Sequence, residues 1–337
     1  MEIFNPHSNI DFLRLRKVSI SISVLLIVIA LGAIFTKGLH YGLDFTGGIL
    51  VEVEYQNPVE IGDVRNALTD AGFTDAQVVS AGGVREVSIR LQNRESKPQA
   101  GDAKAPDAKA GNANASATDA QSKNDKLADD VLKALQAKRS DAKMKQPPDF
   151  VGSTVGDELK NDGIIAVLFV IIGIMIYIGI RFEWRFAVAA IASEIHDTLI
   201  TVGFYAITQH EFDITVLASV LAVVGYSIND KVVVFDRVRE LFRSLRKGEP
   251  VEILNKAINS TLSRTIITAL FTAITMVALY FFGGPVVHGF ALTMIIGIVV
   301  GTLSSIFFAS PILLWLGVSK KDLMPVTRDN PELARRP

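Results

Sequence analysis

The chain has 337 residues, a formal net charge of −1 and no cysteine. The absence of cysteine excludes disulfide bonds and cysteine-ligated metal, and the balanced charge gives no sign of a nucleic-acid partner. Hydrophobic residues make up 49% of the chain and are concentrated in long blocks, which predicts an integral membrane protein.

Six of these blocks are long enough to cross a membrane. A hydrocarbon layer of about 30 Å needs about 20 helical residues. The first block is longer than a signal-peptide core and is followed by no small-residue cleavage pattern, so we predict that it is retained. In chain order the predicted transmembrane helices are TM1 at 18–35, TM2 at 163–180, TM3 at 186–207, TM4 at 214–235, TM5 at 265–282 and TM6 at 290–316.

Lysine and arginine flank alternate ends of the blocks. They precede TM1, separate TM2 from TM3, and follow TM4 and TM6, whereas the short loops 209–213 and 283–289 contain none. The positive-inside rule therefore predicts a cytoplasmic N-terminus at 1–17, a cytoplasmic tail at 317–337 and a domain at 37–162 on the far side of the membrane.

The outer segment begins like a small α+β domain. Residues 49–55 alternate apolar and polar side chains, which is typical of a strand with one buried face. Asn57 is a suitable N-cap, Pro58 fits the first helical position and Glu60 completes a capping box, so a helix is predicted to follow.

The rest of the outer segment adds a hairpin and a second helix. Residues 76–80 and 84–91 are predicted to be paired strands, and 125–142 a helix. The resulting order is most of a ferredoxin-like unit. Between the hairpin and this helix, residues 95–124 are small and polar, so we predict a flexible insertion in a surface loop.

The segment 236–264 between TM4 and TM5 is basic and partly amphipathic. Apolar residues recur at helical spacing in its second half, after Glu249 and Pro250. The pattern indicates a helix lying on the cytoplasmic membrane surface, with a solvated connector as the alternative.

Small residues recur every four positions in two of the predicted spans. Gly297, Gly301 and Ser305 do so in TM6, and Ala218 and Ala222 in TM4. This spacing permits close approach between helices.

Ionisable residues inside the spans are the strongest functional signal, because each is costly to insert, at about 2.5–3.5 kcal/mol. Asp230 lies in TM4 on the face of Ala218 and Ala222, which predicts that it points into the bundle and carries protons. A structural hydrogen bond is the alternative. Arg264 at the start of TM5 either lies at a depth similar to that of Asp230 or is a flanking residue whose side chain snorkels to the lipid headgroups. Lys231 is either a partner of Asp230 or a neighbour that snorkels in the same way.

TM3 carries a second ionisable group near its middle. Glu194 and Asp197 share a helix face, so mutual repulsion is expected to keep one of them protonated. His196 beside them is either part of this group or simply packed and hydrogen-bonded. None of these residues forms a specific metal-binding pattern.

Several motifs resemble those of one known family. They are Gly42-Leu43-Asp44-Phe45-Thr46-Gly47-Gly48 after TM1, Gly225-Tyr226-Ser227-Ile228-Asn229-Asp230 with the following Val232–Glu240 in TM4, the pair Arg264-Thr265, and Phe281-Phe282-Gly283-Gly284-Pro285. Together with the plan of six helices and one large outer loop, they resemble the SecD/SecF family of protein-export membrane proteins, which belongs to the resistance–nodulation–division superfamily. The Phe45-Thr46 form of the glycine motif and the small outer domain favour the SecF branch over SecD.

The resemblance implies a subunit that works with SecD beside the SecYEG channel in the bacterial inner membrane. It would use the proton motive force, with no bound cofactor, to help exported unfolded polypeptides across. YajC and YidC are further implied partners, no nucleic acid is expected, and the outer domain would be periplasmic. The resemblance assigns proton transport to the positions of Asp230 and Arg264. The pair His196-Asp197 matches a pair that recurs in the third helix of the family, whereas Glu194 does not belong to the pattern.

Two other classes of function remain open at this point. A small-molecule efflux pump of the same superfamily would hold two such halves in one chain, with much larger outer domains. A structural scaffold would use its intramembrane acids only for hydrogen bonds. No nucleophile–base pair, phosphate loop or metal cluster supports an enzyme.

Overall fold

A computed structural model describes residues 10–74, 76–91, 113–151, 153–245 and 248–319. The first nine residues of the predicted N-terminus, part of the predicted insertion (95–112) and most of the predicted tail (320–337) lie outside the described residues.

Six helical segments of the described chain are long and apolar enough to cross a membrane, which confirms the predicted number. The sixth is interrupted by a π-helical turn at Ser305–Ala309. The segments are α1 (Arg16–Thr36), α5 (Ser153–Arg181), α6 (Trp184–Thr208), α7 (Ile214–Ser244), α8 (Pro250–Phe282), and α9 (Pro285–Ser304) with α10 (Ser310–Trp315).

The predicted surface helix in 236–264 is wrong as a separate element. Helix α7 continues to Ser244, and α8 runs without a break from Pro250 into the fifth span, because no glycine or proline interrupts it. Its first turns do not lie on lipid either. Ile253 and Leu254 are buried against α7 and α10 in the main hydrophobic cluster, where Phe242 is also fully enclosed.

The outer domain is an antiparallel sheet packed against two helices. The sheet order is β3-β4-β2-β5, with β6 also paired to β2. Its core is formed by buried side chains such as Val51, Leu68, Ile89 and Val131. The elements are β2 (Gly48–Glu54), α3 (Ile61–Asp70), β3 (Gln77–Gly83), β4 (Glu86–Leu91), α4 (Ala113–Lys138), β5 (Lys143–Met144) and β6 (Asp149–Val151).

Two details of this domain differ from the prediction. Helix α3 begins at Ile61 with Glu60 as N-cap, so Asn57 is not its cap; the Asn57 amide instead donates to Asp141. Helix α4 begins at Ala113, inside the stretch predicted to be flexible. Alanine-rich sequence favours helix, and composition alone did not reveal this because the stretch lacks an apolar stripe.

The outer domain joins the bundle through a short helix and a pair of two-residue strands. Helix α2 (Leu43–Thr46) follows β1 (His40–Tyr41), which pairs in parallel with β7 (Glu211–Phe212) at the outer end of α7. Since β7 lies in the short loop between α6 and α7, this contact ties the first half of the chain to the helix that carries Asp230.

Small residues set the helix spacing inside the bundle, but only on some of the predicted faces. Gly297 and Gly301 lie against Val223 and Ser227 of α7, so close that an added methyl group would collide with those side chains. The prediction for TM6 is therefore confirmed. In TM4 the face of Ala218 and Ala222 is exposed, so it does not point into this bundle as predicted.

Candidate functional site

The centre of the bundle holds a lysine that is completely buried. Lys231 on α7 has a relative exposure of 0%. Its ammonium donates hydrogen bonds to Glu194 Oε2 and Asp197 Oδ2, both at 2.7 Å, and to Ser227 Oγ at 2.8 Å. Positions 194 and 197 lie on one face of α6, so a single cation reaches both acids. The cluster therefore offsets part of the cost of burying these charges.

Asp197 is surrounded by donors on both of its oxygens. Oδ2 accepts from Ser227 Oγ at 2.5 Å, from Ser304 Oγ at 2.7 Å and from Lys231. Oδ1 is 2.8 Å from His196 Nδ1. Charge-assisted hydrogen bonds of this kind stabilise an ionised carboxylate away from water. Helices α6, α7 and α9 all contribute, so the site exists only when the three are packed together.

His196 connects the acid cluster to a cavity. Its ring stacks on Phe308 of the π-helical turn, with 4.2 Å between ring centroids. Its Nε2 atom is buried and has no hydrogen-bond partner among the described residues. The ring lines a mostly apolar cavity of about 350 Å³ between α1, α6 and α9. π-Helical turns are frequent at functional sites, and here the turn positions the ring that faces His196.

Asp230 and Arg264 do not form such a hydrogen-bonded pair among the described residues. Asp230 is 4% exposed, and its Oδ2 atom is buried without a hydrogen-bond partner in the described part of the chain. Arg264 is exposed on α8. No hydrogen bond or ion pair between them is found among the residues that the structure describes. No hydrogen bond between Asp230 and the partners of Lys231 is found in the described part of the chain, although the two residues are adjacent in sequence.

The structure thus joins two of the four predicted proton-transport residues, His196 and Asp197, and leaves Asp230 and Arg264 apart. Two further ionisable residues of the cluster were left without a role by sequence reasoning. Glu194 does not belong to the family pattern, and the sequence predicts Lys231 to be either a partner of Asp230 or a snorkelling neighbour. A lysine in the middle of a span is itself a signal, because it requires acidic partners, and the acids of TM3 were the available ones.

The glycine motif at 42–48 lies at the outer end of the bundle, not in the ionisable cluster. Asp44 Oδ2 accepts a hydrogen bond from the Ile214 amide at 3.1 Å, at the first residue of α7. Phe45 is buried with Tyr205 and Phe212. Thr46 Oγ1 donates to the Gly42 carbonyl. The motif therefore fastens the start of α7 to the outer domain.

Glycine is required at two positions of this motif, for two different reasons. Gly47 and Gly48 have φ angles of 69° and 151°, which side chains other than glycine rarely adopt. A Cβ atom at Gly48 would also collide with the Leu91 carbonyl and with the side chain of Leu43. Close backbone packing between this motif and β4 thus explains the Gly-Gly pair.

An ion pair also connects the outer domain to the loop between α6 and α7. Arg90 of β4 is paired with Glu211 of β7. Burial lowers the pKa of Arg90, and the nearby carboxylates of Asp213 and Asp44 oppose that shift. The outer domain and the α6–α7 loop are therefore linked by charge as well as by strand pairing.

The other two predicted motif positions, Gly225 and Asn229, lie on the exposed face of α7. They share that face with Ala218 and Ala222. Exposed small residues along a membrane helix leave room for another helix to approach closely.

Two family models match the chain. The model described as "Protein export membrane protein SecD/SecF, C-terminal" matches residues 130–319, and the "SecD/SecF GG Motif" model matches residues 32–59. The second match covers the glycine motif, and the first covers all of the ionisable residues of the site.

Curated relatives are similar along nearly the whole chain. The protein translocase subunit SecF of Pseudomonas aeruginosa is 42% identical over 317 residues, which cover 94% of each chain. That of Vibrio alginolyticus is 39% identical and covers 96% of this chain and 95% of its own. That of Escherichia coli O157:H7 is 35% identical and covers 93% of this chain and 90% of its own.

A solved structure has the same fold. The crystal structure of SecDF from Thermus thermophilus, described as a translocon-associated membrane protein, superposes with a TM-score of 0.72 at 31% identity. The match covers 93% of this chain but 39% of the Thermus chain, so this chain spans about two fifths of that protein. The motifs, the fold and the relatives agree, and the chain belongs to the SecD/SecF family of protein-export membrane proteins, within it to the SecF proteins.

Proposed function

We propose that this chain is the SecF subunit of a SecD–SecF complex that assists SecYEG-dependent protein translocation across the bacterial inner membrane, driven by the proton motive force. Relatives named protein translocase subunit SecF support the assignment, since they match it at 35–42% identity over most of its length. Their similarity also argues against a small-molecule efflux pump and against SecD itself.

The observation that carries a proton-driven role is the ionisable cluster inside the bundle. Glu194 is 6% exposed, and Asp197 and Lys231 are both 0% exposed, at membrane depth. A scaffold gains nothing from such groups, because well-packed hydrophobic residues of similar volume stabilise a bundle at least as well. Buried ionisable residues that can exchange a proton are instead the means by which transporters sense a gradient.

We assign the proton-carrying roles to Asp230, Asp197 and His196, with Arg264 as the residue that tunes Asp230. Protonation of Asp230 would cancel a buried charge that has an unpartnered oxygen, and it would thereby change how α7 packs. The driving force is adequate, because moving one charge through 100 mV provides about 2.3 kcal/mol.

SecD is the partner expected on the exposed face of α7. That face carries small residues beside Asp230, and the neighbouring helix α8 exposes Arg264. The match covers 39% of the Thermus SecDF chain, so most of that chain lies outside the part that resembles this one. SecYEG, YajC, YidC and the exported polypeptide are proposed contacts of the complex, with the periplasmic domain facing the polypeptide.

Export assays with an Asp230→Asn variant test the proton role. The variant mimics the neutral acid, and we expect it to accumulate and to assemble with SecD but to lose gradient-dependent stimulation of translocation into membrane vesicles. Asp162→Asn is the matched control, since Asp162 is an exposed acid at the outer end of α5. Full gradient-dependent stimulation by Asp230→Asn would contradict the proposal.

A further inference from the structure

The buried cluster contains one more negative charge than positive charge. Glu194 and Asp197 share a single ammonium, that of Lys231. His196 is bonded to Asp197 and is not needed as a cation for that hydrogen bond. With both acids ionised, the cluster would keep an uncompensated charge in a region hidden from water, which is unfavourable. An additional proton on one of the two acids removes this excess.

The hydrogen bonds indicate which acid takes that proton. Asp197 receives donors on both oxygens, whereas Glu194 receives one donor, Lys231, on Oε2. The Oε1 atom of Glu194 is buried and has no partner among the described residues. Removing an ionised oxygen from water without a donor is costly, and a neutral carboxyl avoids most of that cost. The proton is therefore better accommodated on Glu194 than on Asp197.

The surroundings of Glu194 favour its neutral form. Glu194 lines a second cavity, of about 180 Å³, between α5, α6 and α7. Apart from Glu194 and Thr198 its lining is apolar, and apolar cavities stay dry, so the cavity offers an ionised Glu194 no solvation. The titratable groups that face Glu194 are Lys231 from α7 and Asp197 from its own helix. The described cavity walls from α5 and α7 are apolar, formed by Ile171, Ile174, Met175 and Val224.

We propose that Glu194 is a second proton-binding residue of the relay, neutral beside this apolar cavity, and that Lys231 is the positioning residue that couples it to Asp197. This inference rests on the proposed function. When Glu194 Oε1 takes up a proton, the charge of that carboxyl goes from −1 to zero. Asp197 is then the only carboxylate that holds the Lys231 ammonium. Loss of the proton restores the shared ion pair.

Infrared difference spectroscopy of the full-length protein in lipid tests the first part without any translocation. The protonated-carboxyl stretch is recorded as pH is raised. We expect a band that Glu194→Gln removes, that Glu194→Asp shifts and that Asp230→Asn leaves in place. An unchanged band in Glu194→Gln overturns the assignment, whatever the Asp230 variant does in export. The two proposals can therefore fail separately.

Charge-paired variants test the coupling role of Lys231. Lys231→Met leaves two buried acids without a cation, so we expect at least a tenfold drop in the amount of folded protein. The double variant Asp197→Asn/Lys231→Met removes one charge of each sign and should restore folding, whereas Glu194→Gln/Lys231→Met leaves the Asp197 carboxylate without a cation and should not. In the restored variant, the pH at which the Glu194 carboxyl band disappears should be displaced from that of the wild type, because the ammonium beside it is absent. Normal folding of Lys231→Met, equal folding of the two double variants, or an undisplaced band would refute the coupling.

Discussion

Replacing Gly301 by alanine is expected to disrupt the buried cluster through its neighbour Ser227. A Cβ atom at position 301 would lie 2.7 Å from Ser227 Oγ and 3.0 Å from Ser227 Cβ. The hydroxyl cannot move away freely, because it is hydrogen-bonded to both Asp197 and Lys231. Either α9 shifts away from α7, or the serine rotates and loses both bonds.

The size of the effect follows from three contributions. Overpacking a close contact costs about 1–3 kcal/mol, and loss of a hydrogen bond to a charged group costs about 1.5–3 kcal/mol. Alanine has a higher helix propensity than glycine, which returns up to about 1 kcal/mol. We therefore expect Gly301→Ala to lower the free energy of unfolding by about 3 kcal/mol.

Unfolding of the purified protein in mixed micelles, followed by circular dichroism, measures this change. Gly173→Ala on α5 is the matched control, since no atom lies within 4 Å of a Cβ built there and only the propensity gain remains. A double-mutant cycle with Ser227→Ala should show strong non-additivity, because both changes act on the same hydroxyl. Equal stability of Gly301→Ala and Gly173→Ala would refute the reasoning.

Three further predictions concern regions outside the cluster. Asp44→Ala should destabilise the start of α7 by about 1 kcal/mol, as loss of a helix cap does, whereas Asp44→Asn keeps the acceptor for Ile214; thermal unfolding distinguishes them. Burial raises the pKa of Tyr55 to about 12, so the outer domain should lose stability as pH rises from about 10 to about 12, and Tyr55→Phe should abolish that loss in melts across the range. A cysteine at Ser319 should resist an impermeant thiol reagent in intact cells, and labelling would overturn the predicted cytoplasmic location of the C-terminus.

Much of the architecture is predictable from the sequence because it depends on patterns within single segments. The six spans follow from continuous apolar runs, which no soluble segment of the chain imitates. The outer strands follow from period-2 alternation, and the glycine motif from its sequence. Helix ends were harder to place. Helix α3 begins at Ile61 rather than just after Asn57, and α4 begins at Ala113 inside the stretch predicted to be flexible, because helix ends are only weakly specified by local sequence.

The predicted site was correct in its residue types and incomplete in its partners. The sequence identified the third-helix acids and Asp230 because any charge in a span is conspicuous. It did not show which charges meet. Lys231 is adjacent to Asp230 in the chain, yet its ammonium reaches Glu194 and Asp197, because α7 turns that side chain toward α6.

The sequence by itself determined the membrane class, the number of spans, the domain plan and the family. These properties are encoded in patterns within single segments, such as hydropathy, charge bias and motifs. Only the tertiary structure decided that Lys231 is shared by two acids, that Gly301 supports Ser227, and that Asp44 holds the start of α7. Each of these pairings joins residues from different helices, and it depends on the rotation and spacing of packed helices, which no single segment specifies.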